Sequence, residues 1–194
     1  NSINDEIDLA APYVLDQGEL AVFAADLKSV SVKITESGDV DTDIVPDLTY
    51  TSAGTFKLMD MASPQLTMPD VATGDITEVD GAAPVPVAAE TVDNNNDGYL
   101  DGVAITFSED VAIAADDTAM VQAAVTMEEV SNVIDLAAAT ITADAADSTL
   151  TLVGTSAKGA NAWDTAEVPD ASIADGSGIK DAAGNEVLSD TIAT

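Results

Sequence analysis

Nine consecutive residues, Asp93-Asn94-Asn95-Asn96-Asp97-Gly98-Tyr99-Leu100-Asp101, set oxygen-bearing side chains at alternate positions around one glycine. A calcium ion takes about six to eight hard oxygen ligands. This spacing can supply Asp93, Asn95 and Asp97, then the Tyr99 carbonyl, then Asp101, directly or through water. Gly98 stands where such a loop must turn sharply. The bidentate carboxylate that would complete an EF-hand is missing, because Ala104 occupies its place, so a further ligand must come from elsewhere or from water. The same residues also suit an ion-free turn, since Asn, Asp and Gly favour turns through local hydrogen bonds.

Two other groups of residues carry weaker chemical signals. Asp39, Asp41 and Asp43, with Glu36 and Asp47 nearby, alternate carboxylates beside Gly38. They fit either a second calcium site or a solvated acidic loop, and no glycine stands at the turn position of the calcium pattern. Trp163 is the single tryptophan. It suits a sugar-stacking platform for a cell-surface glycan, or a plug in a core or junction.

Composition narrows the chemistry. Thirty-six acidic residues against five lysines and no arginine give a formal net charge of −31, which excludes attraction to nucleic acid or anionic lipid and favours cations as partners. Histidine and cysteine are both absent. That removes Ser-His-Asp and Cys-His catalysis, the common zinc sites and any disulfide framework. Carboxylate-pair chemistry, as in glycoside hydrolysis, is what survives, and among so many acids a pair arises by chance. The expectation is therefore a non-enzymatic protein with Ca²⁺ as its cofactor.

Hydrophobic residues make up 46% of the chain and fall in short alternating runs, so this is a folding sequence and not an acidic tail. Few of them are aromatic, which predicts thin layers of Val, Ile, Leu and Ala. Ser29–Thr35 alternates as a half-buried strand. Glu19–Ala24, Asp47–Thr51 and Thr55–Met61 are further strand candidates, punctuated by Gly18, Gly38, Pro46 and Gly54. Pro69, Gly74, Gly81, Pro84 and Pro86 mark a junction, with the boundary placed near Asp80. Beyond it, Val103, Ile105 and Phe107 alternate directly after the acidic loop. Ala119 to Met127 alternates over a longer run, Ser148–Val153 repeats the pattern, and Val130–Ala139 fits either a helix or a strand. Gly178–Val187 has the form of a hairpin, with Asp181 placed to close an Asx turn.

The fold class predicted is all-β, with two small β-sandwich modules spanning residues 1–80 and 81–194. Within the first, residues 5–16 alternate Ile7, Leu9, Ala11, Tyr13 and Leu15, and Pro12 confines them to a sheet edge. Such a segment can pair inside its own module or be lent to a neighbouring copy, linking subunits.

Taken in order, the Pro-rich start, the Asp-x-Asn-x-Asp-Gly loop, Ile105-Thr106-Phe107-Ser108-Glu109-Asp110-Val111, and Lys180-Asp181-Ala182-Ala183-Gly184-Asn185 carry a resemblance. Residues 81–194 resemble the Ig-like β-sandwich modules of bacterial and archaeal surface-layer proteins and large adhesins. That resemblance implies a structural module of extracellular layers, stalks and fibres, often with calcium at junctions. It implies Asp93, Asn95, Asp97, Tyr99 and Asp101 as metal ligands, with Glu109 as the missing carboxylate, and copies of the same chain as partners. No apolar run is long enough to span a membrane, so membrane insertion is not expected. The chain opens at Asn1 and not at methionine, which reads as processing or excision. With a low-affinity calcium loop, secretion or cell-surface display is expected.

Overall fold

A computed structural model describes residues 7–9, 22–25, 28–35, 41–55, 57–128, 134–143, 148–155 and 164–193. The chain is mostly β-sheet, in several antiparallel sheets, as its alternating patterns require. It divides into two units: residues 1–39 with 44–79, and residues 40–43 with 80–194. The sequence prepared for a division near Asp80. It gave no sign that four residues, Val40–Asp43, belong to the later unit.

In the first unit, β1 (Ile7–Leu9) pairs antiparallel with β4 (Leu48–Tyr50), and β2 (Val22–Phe23) with β3 (Val30–Ser31). The described part of the candidate assembly strand, residues 5–16, thus pairs within its own chain, which costs no association entropy. The rest of it lies outside the described residues. Tyr50 organises this unit. Its backbone exchanges hydrogen bonds with Val71, its hydroxyl accepts the Leu58 N–H at 2.9 Å, and its ring is buried. Of the expected strand Thr55–Met61, the described residues form only an isolated bridge at Met59. Met59 bridges Thr67 to make a narrow hairpin, whose turn is closed by the Asp60 carboxylate accepting the Ala62 and Leu66 N–H groups.

The second unit holds the main core. β5 (Pro86–Val92), β6 (Gly102–Phe107), β10 (Thr149–Thr155) and β9 (Asp135–Ala143) form one antiparallel sheet in the order β5-β6-β10-β9. A second sheet has the order β13-β11-β8, from Asp190–Ile192, Asp170–Ile173 and Val125–Glu128. A short ladder joins β7 (Ala112–Ile113) to β12 (Ile179–Lys180). Alternate residues point inward, as strand geometry dictates. Val103, Ile105, Leu150, Leu152 and Ile179 are fully buried, each contributing about 2 kcal/mol by leaving water. The ambiguous stretch before Ala139 becomes strand where it is described.

One expectation fails. The run from Ala119 to Met127 is not a single strand: Thr118–Ala124 is a helix, α1, and only from Val125 does the chain extend. Ala119, Met120, Gln122, Ala123 and Ala124 favour helix. Val121 and Ala124, three apart, share the buried face, and the Gln122 side chain donates to the Ala139 carbonyl at 2.8 Å. The alternation came from alanines, small enough to suit either period.

Candidate metal centre

The Asp93–Asp101 loop is the connection between β5 and β6, whose ends meet at Val92 and Gly102. Its side chains fold it by accepting its own backbone N–H groups. Asp93 accepts from Asp97 at 3.2 Å and Gly98 at 3.0 Å, Asn95 from Asp97 at 3.0 Å, Asp97 from Tyr99 at 3.1 Å, and Asp101 from Asn94 at 2.9 Å. Gly98 has φ +88° and Asn96 φ +57°, left-handed conformations that these two residue types tolerate best. Asp101 is buried, tied by its backbone to Val92 and Gly154. The structure therefore brings the five loop residues into one turn that is closed by internal hydrogen bonds.

Glu109 stands elsewhere. β5 and β6 run antiparallel, so the loop lies at one end of the pair and Glu109, two residues past Phe107, lies beyond the other. Gly102 to Phe107 alone spans about 17 Å of extended chain. There Glu109 meets Asp80, which precedes β5, and Asp181, which follows β12. Carboxylate oxygens of these three approach within 4.8 Å of one another. This is the group of that kind among the described residues, and the three loop aspartates do not form one. The expected pairing of Glu109 with the loop is thus replaced by a pairing across the top of the sheet.

Each member is held by its own element. Asp181 closes the hairpin foreseen at Gly178–Val187: its carboxylate accepts the Gly184 N–H at 2.5 Å, the Asn185 N–H at 2.8 Å and the Asn185 side-chain amide at 2.7 Å. Asn185 also donates to the Asp80 carbonyl at 3.4 Å. Asp80 caps its own turn by accepting the Ala82 N–H at 2.9 Å. Glu109 accepts the hydroxyl of Thr42, delivered by the Val40–Asp43 excursion. A hydroxyl has one proton to give, so the chain of bonds has one direction: Val85 N–H to Ser108, Ser108 to Thr42 at 2.6 Å, Thr42 to Glu109.

Electrostatics set the three carboxylates apart. Burial pushes Glu109 above the ordinary range. The Thr42 hydrogen bond opposes this, while the charges of Asp181, Asp80 and Asp43 reinforce it. Burial also pushes Asp181 upward, but the hydrogen bonds from Asn185, Gly184 and Ala183 outweigh it and hold this carboxyl below the usual value. Asp43 is raised, first by sharing a hydrogen bond with Asp41 and then by weak burial and the charges of Asp41, Asp110 and Asp80. The adjacent cation does not relieve them, because Lys180 directs its ammonium to Asp117 at 3.8 Å. Two carboxyls pushed in opposite directions also resemble an acid and base pair. However, none of the three lines the cleft formed by Ala124, Ile173 and Thr191 or the one formed by Lys28, Leu58 and Met68. What the arrangement offers is a set of hard oxygens.

Asp41 and Asp43 of the second acidic stretch therefore lie beside this cluster, while Glu36 and Asp39 lie outside the described residues, as does Trp163. Sequence reading missed Asp80 and Asp181 as possible ligands. It had marked one as a boundary and the other as a turn residue; only the antiparallel pairing of their elements unites them. No family model, curated protein or solved structure matches the chain. Among the described residues, no helix is long and apolar enough to cross a membrane.

Proposed function

We propose that this chain is a non-enzymatic structural module of an extracellular layer, fibre or adhesin, of Ig-like β-sandwich type, stabilised by calcium. The observation that carries the reading is the Asp80–Glu109–Asp181 cluster. Two of its members are almost wholly buried, and like charges this close repel unless a cation joins them. An all-oxygen donor set with no nitrogen or sulfur suits Ca²⁺ better than a transition metal. The ion would tie together the start of β5, the end of β6 and the β12 hairpin, three separate stretches of the second unit. The Asp93–Asp101 loop is the candidate for a second ion, with Asp93, Asn95, Asp97, Tyr99 and Asp101 as its ligands.

The module's role is assembly with copies of itself, and abundant external calcium would keep such sites filled. Thermal melting of the whole chain with calcium and with excess EGTA tests this. At a hundred times its dissociation constant an ion adds about 2.7 kcal/mol, which is a rise of about 10 °C for a unit of this size. Equal melting in calcium and EGTA, with no heat of calcium binding in calorimetry, would discard the calcium reading.

A further inference from the structure

Asp80, Asp97, Asp101 and Asp175 are each followed by glycine. An Asp-Gly step can rearrange without an enzyme. The glycine nitrogen attacks the carbonyl carbon of the aspartate side chain, the nitrogen's proton and the carboxyl hydroxyl leave as water, and a succinimide ring forms. Water then opens the ring. Attack at the side-chain carbonyl restores aspartate, whereas attack at the backbone carbonyl gives isoaspartate, in which the main chain runs through the former side chain. The water lost in the first step is regained in the second, so no other reactant is needed. Glycine favours the reaction because no Cβ shields the attacking nitrogen and its backbone turns freely.

By sequence the four steps are equivalent. Folding separates them. At Asp97–Gly98 the attacking N–H is already given to the Asp93 carboxylate at 3.0 Å. Asp101 is buried, and Gly102 is paired on both sides, with Val92 and Val153, so tightly that a Cβ there would collide with the Leu152 carbonyl. The Asp175 carboxylate is drawn away by the Ser189 N–H at 2.8 Å. Asp80–Gly81 escapes all three restraints. Gly81 is exposed, nothing lies within 4 Å of where its Cβ would stand, and its N–H has no acceptor among the described residues. The Asp80 carboxylate accepts the Ala82 N–H at 2.9 Å, an Asx turn that folds it forward along the chain toward the Gly81 nitrogen.

We propose that the Asp80–Gly81 step is a site of spontaneous isoaspartate formation, an ageing reaction that dismantles the Asp80–Glu109–Asp181 cluster. Isomerisation lengthens the backbone at residue 80 and leaves its carboxylate directly on Cα, withdrawn from Glu109 and Asp181. The reaction itself does not depend on a metal, and only its consequence for calcium binding rests on the function proposed above. A cation on the cluster would slow it, because an ionised carboxylate held in place is a poor target for the nitrogen.

Prolonged incubation of the whole chain in EGTA at neutral pH, then labelling with an isoaspartyl methyltransferase and peptide mass spectrometry, tests the proposal. The expected label at Asp80 exceeds that at each of the other three steps at least ~fivefold, since there a bond or a paired strand must open first. Gly81→Val, which crowds the nitrogen, should suppress it, and an unchanged melting temperature would exclude misfolding as the cause. In urea the four steps should label alike, which assigns the preference to the fold. Label spread evenly over the four in the folded chain, or concentrated at another of them, would overturn the proposal, as would Gly81→Val labelling like the original. Calcium separates the two readings. Slower labelling at Asp80 in calcium than in EGTA supports both, while a preference for Asp80 that is equal in the two leaves the isomerisation standing and counts against an ion on Asp80.

Discussion

The two acidic sites of this protein sit at opposite ends of the β5–β6 pair and differ in what their carboxylates already do. In the Asp93–Asp101 loop each acceptor takes backbone N–H groups from residues two to seven positions away, so the turn is held by local bonds. In the Asp80–Glu109–Asp181 cluster the carboxylates come from elements far apart in sequence and face one another. A motif written in consecutive residues can fold itself without an ion. A site assembled by tertiary pairing brings carboxylates face to face even where, as with Asp181 and Asp80, each already accepts bonds from its own turn, and there a cation has most to contribute.

The sharpest way to break this contrast is Asp181→Ala. It removes the acceptor of three hydrogen bonds in the β12 hairpin, with an expected cost of about 3 kcal/mol in denaturant unfolding, calcium or not. A cost below about 1 kcal/mol would mean that the hairpin does not depend on this carboxylate. Glu109→Gln comes next. It should erase most of the calcium-dependent rise of about 10 °C while leaving the EGTA form at least as stable as before, since an unfavourable buried charge disappears. If instead Asp97→Asn erases the rise and Glu109→Gln does not, the ranking of the two sites is reversed.

Gly98→Ala probes the loop alone. The position has room for a methyl group, so the cost is purely that of a left-handed backbone, about 1–2 kcal/mol. It should leave calcium binding at the cluster untouched in calorimetry. The smallest effect is the pH dependence in EGTA. Glu109 is raised above its ordinary 4.5, so its contribution is complete below that value and is lost as pH rises through the folded-state value. Asp181 is lowered from 3.8, so its contribution is present above that value and is lost as pH falls through the folded-state value. Glu109→Gln should therefore flatten the loss on the alkaline side and keep the loss on the acid side. A variant whose stability profile stays parallel to the original's would contradict the assignment of that slope to Glu109.

Legibility in the sequence followed the same divide. β6 could be read from Val103, Ile105 and Phe107 because one face is core and period two survives intact. The β12 hairpin could be read because Asp181, Gly184 and Asn185 act within five residues of one another. The helix α1 could not, because Ala119 and Ala123 satisfy strand and helix alternation equally, and the deciding contact, Gln122 to Ala139, is tertiary. Glu109 was expected beside the loop, although the sequence held the reason it is not: a strand between it and the loop places the two at opposite ends. Thr42 left no signal at all, since nothing in its own neighbourhood indicates a partner 67 residues on.

That last contact bears on how the protein comes to be folded. The second unit is not a contiguous stretch of chain, and its Thr42 is made long before Glu109 can receive it. Thr42 must wait until β5 and β6 have emerged and paired. A chain severed at Asp80 would yield a second unit missing one of its own pieces, and adding residues 1–79 back as a separate fragment should restore the Thr42 hydroxyl only at the entropic cost of a bimolecular encounter.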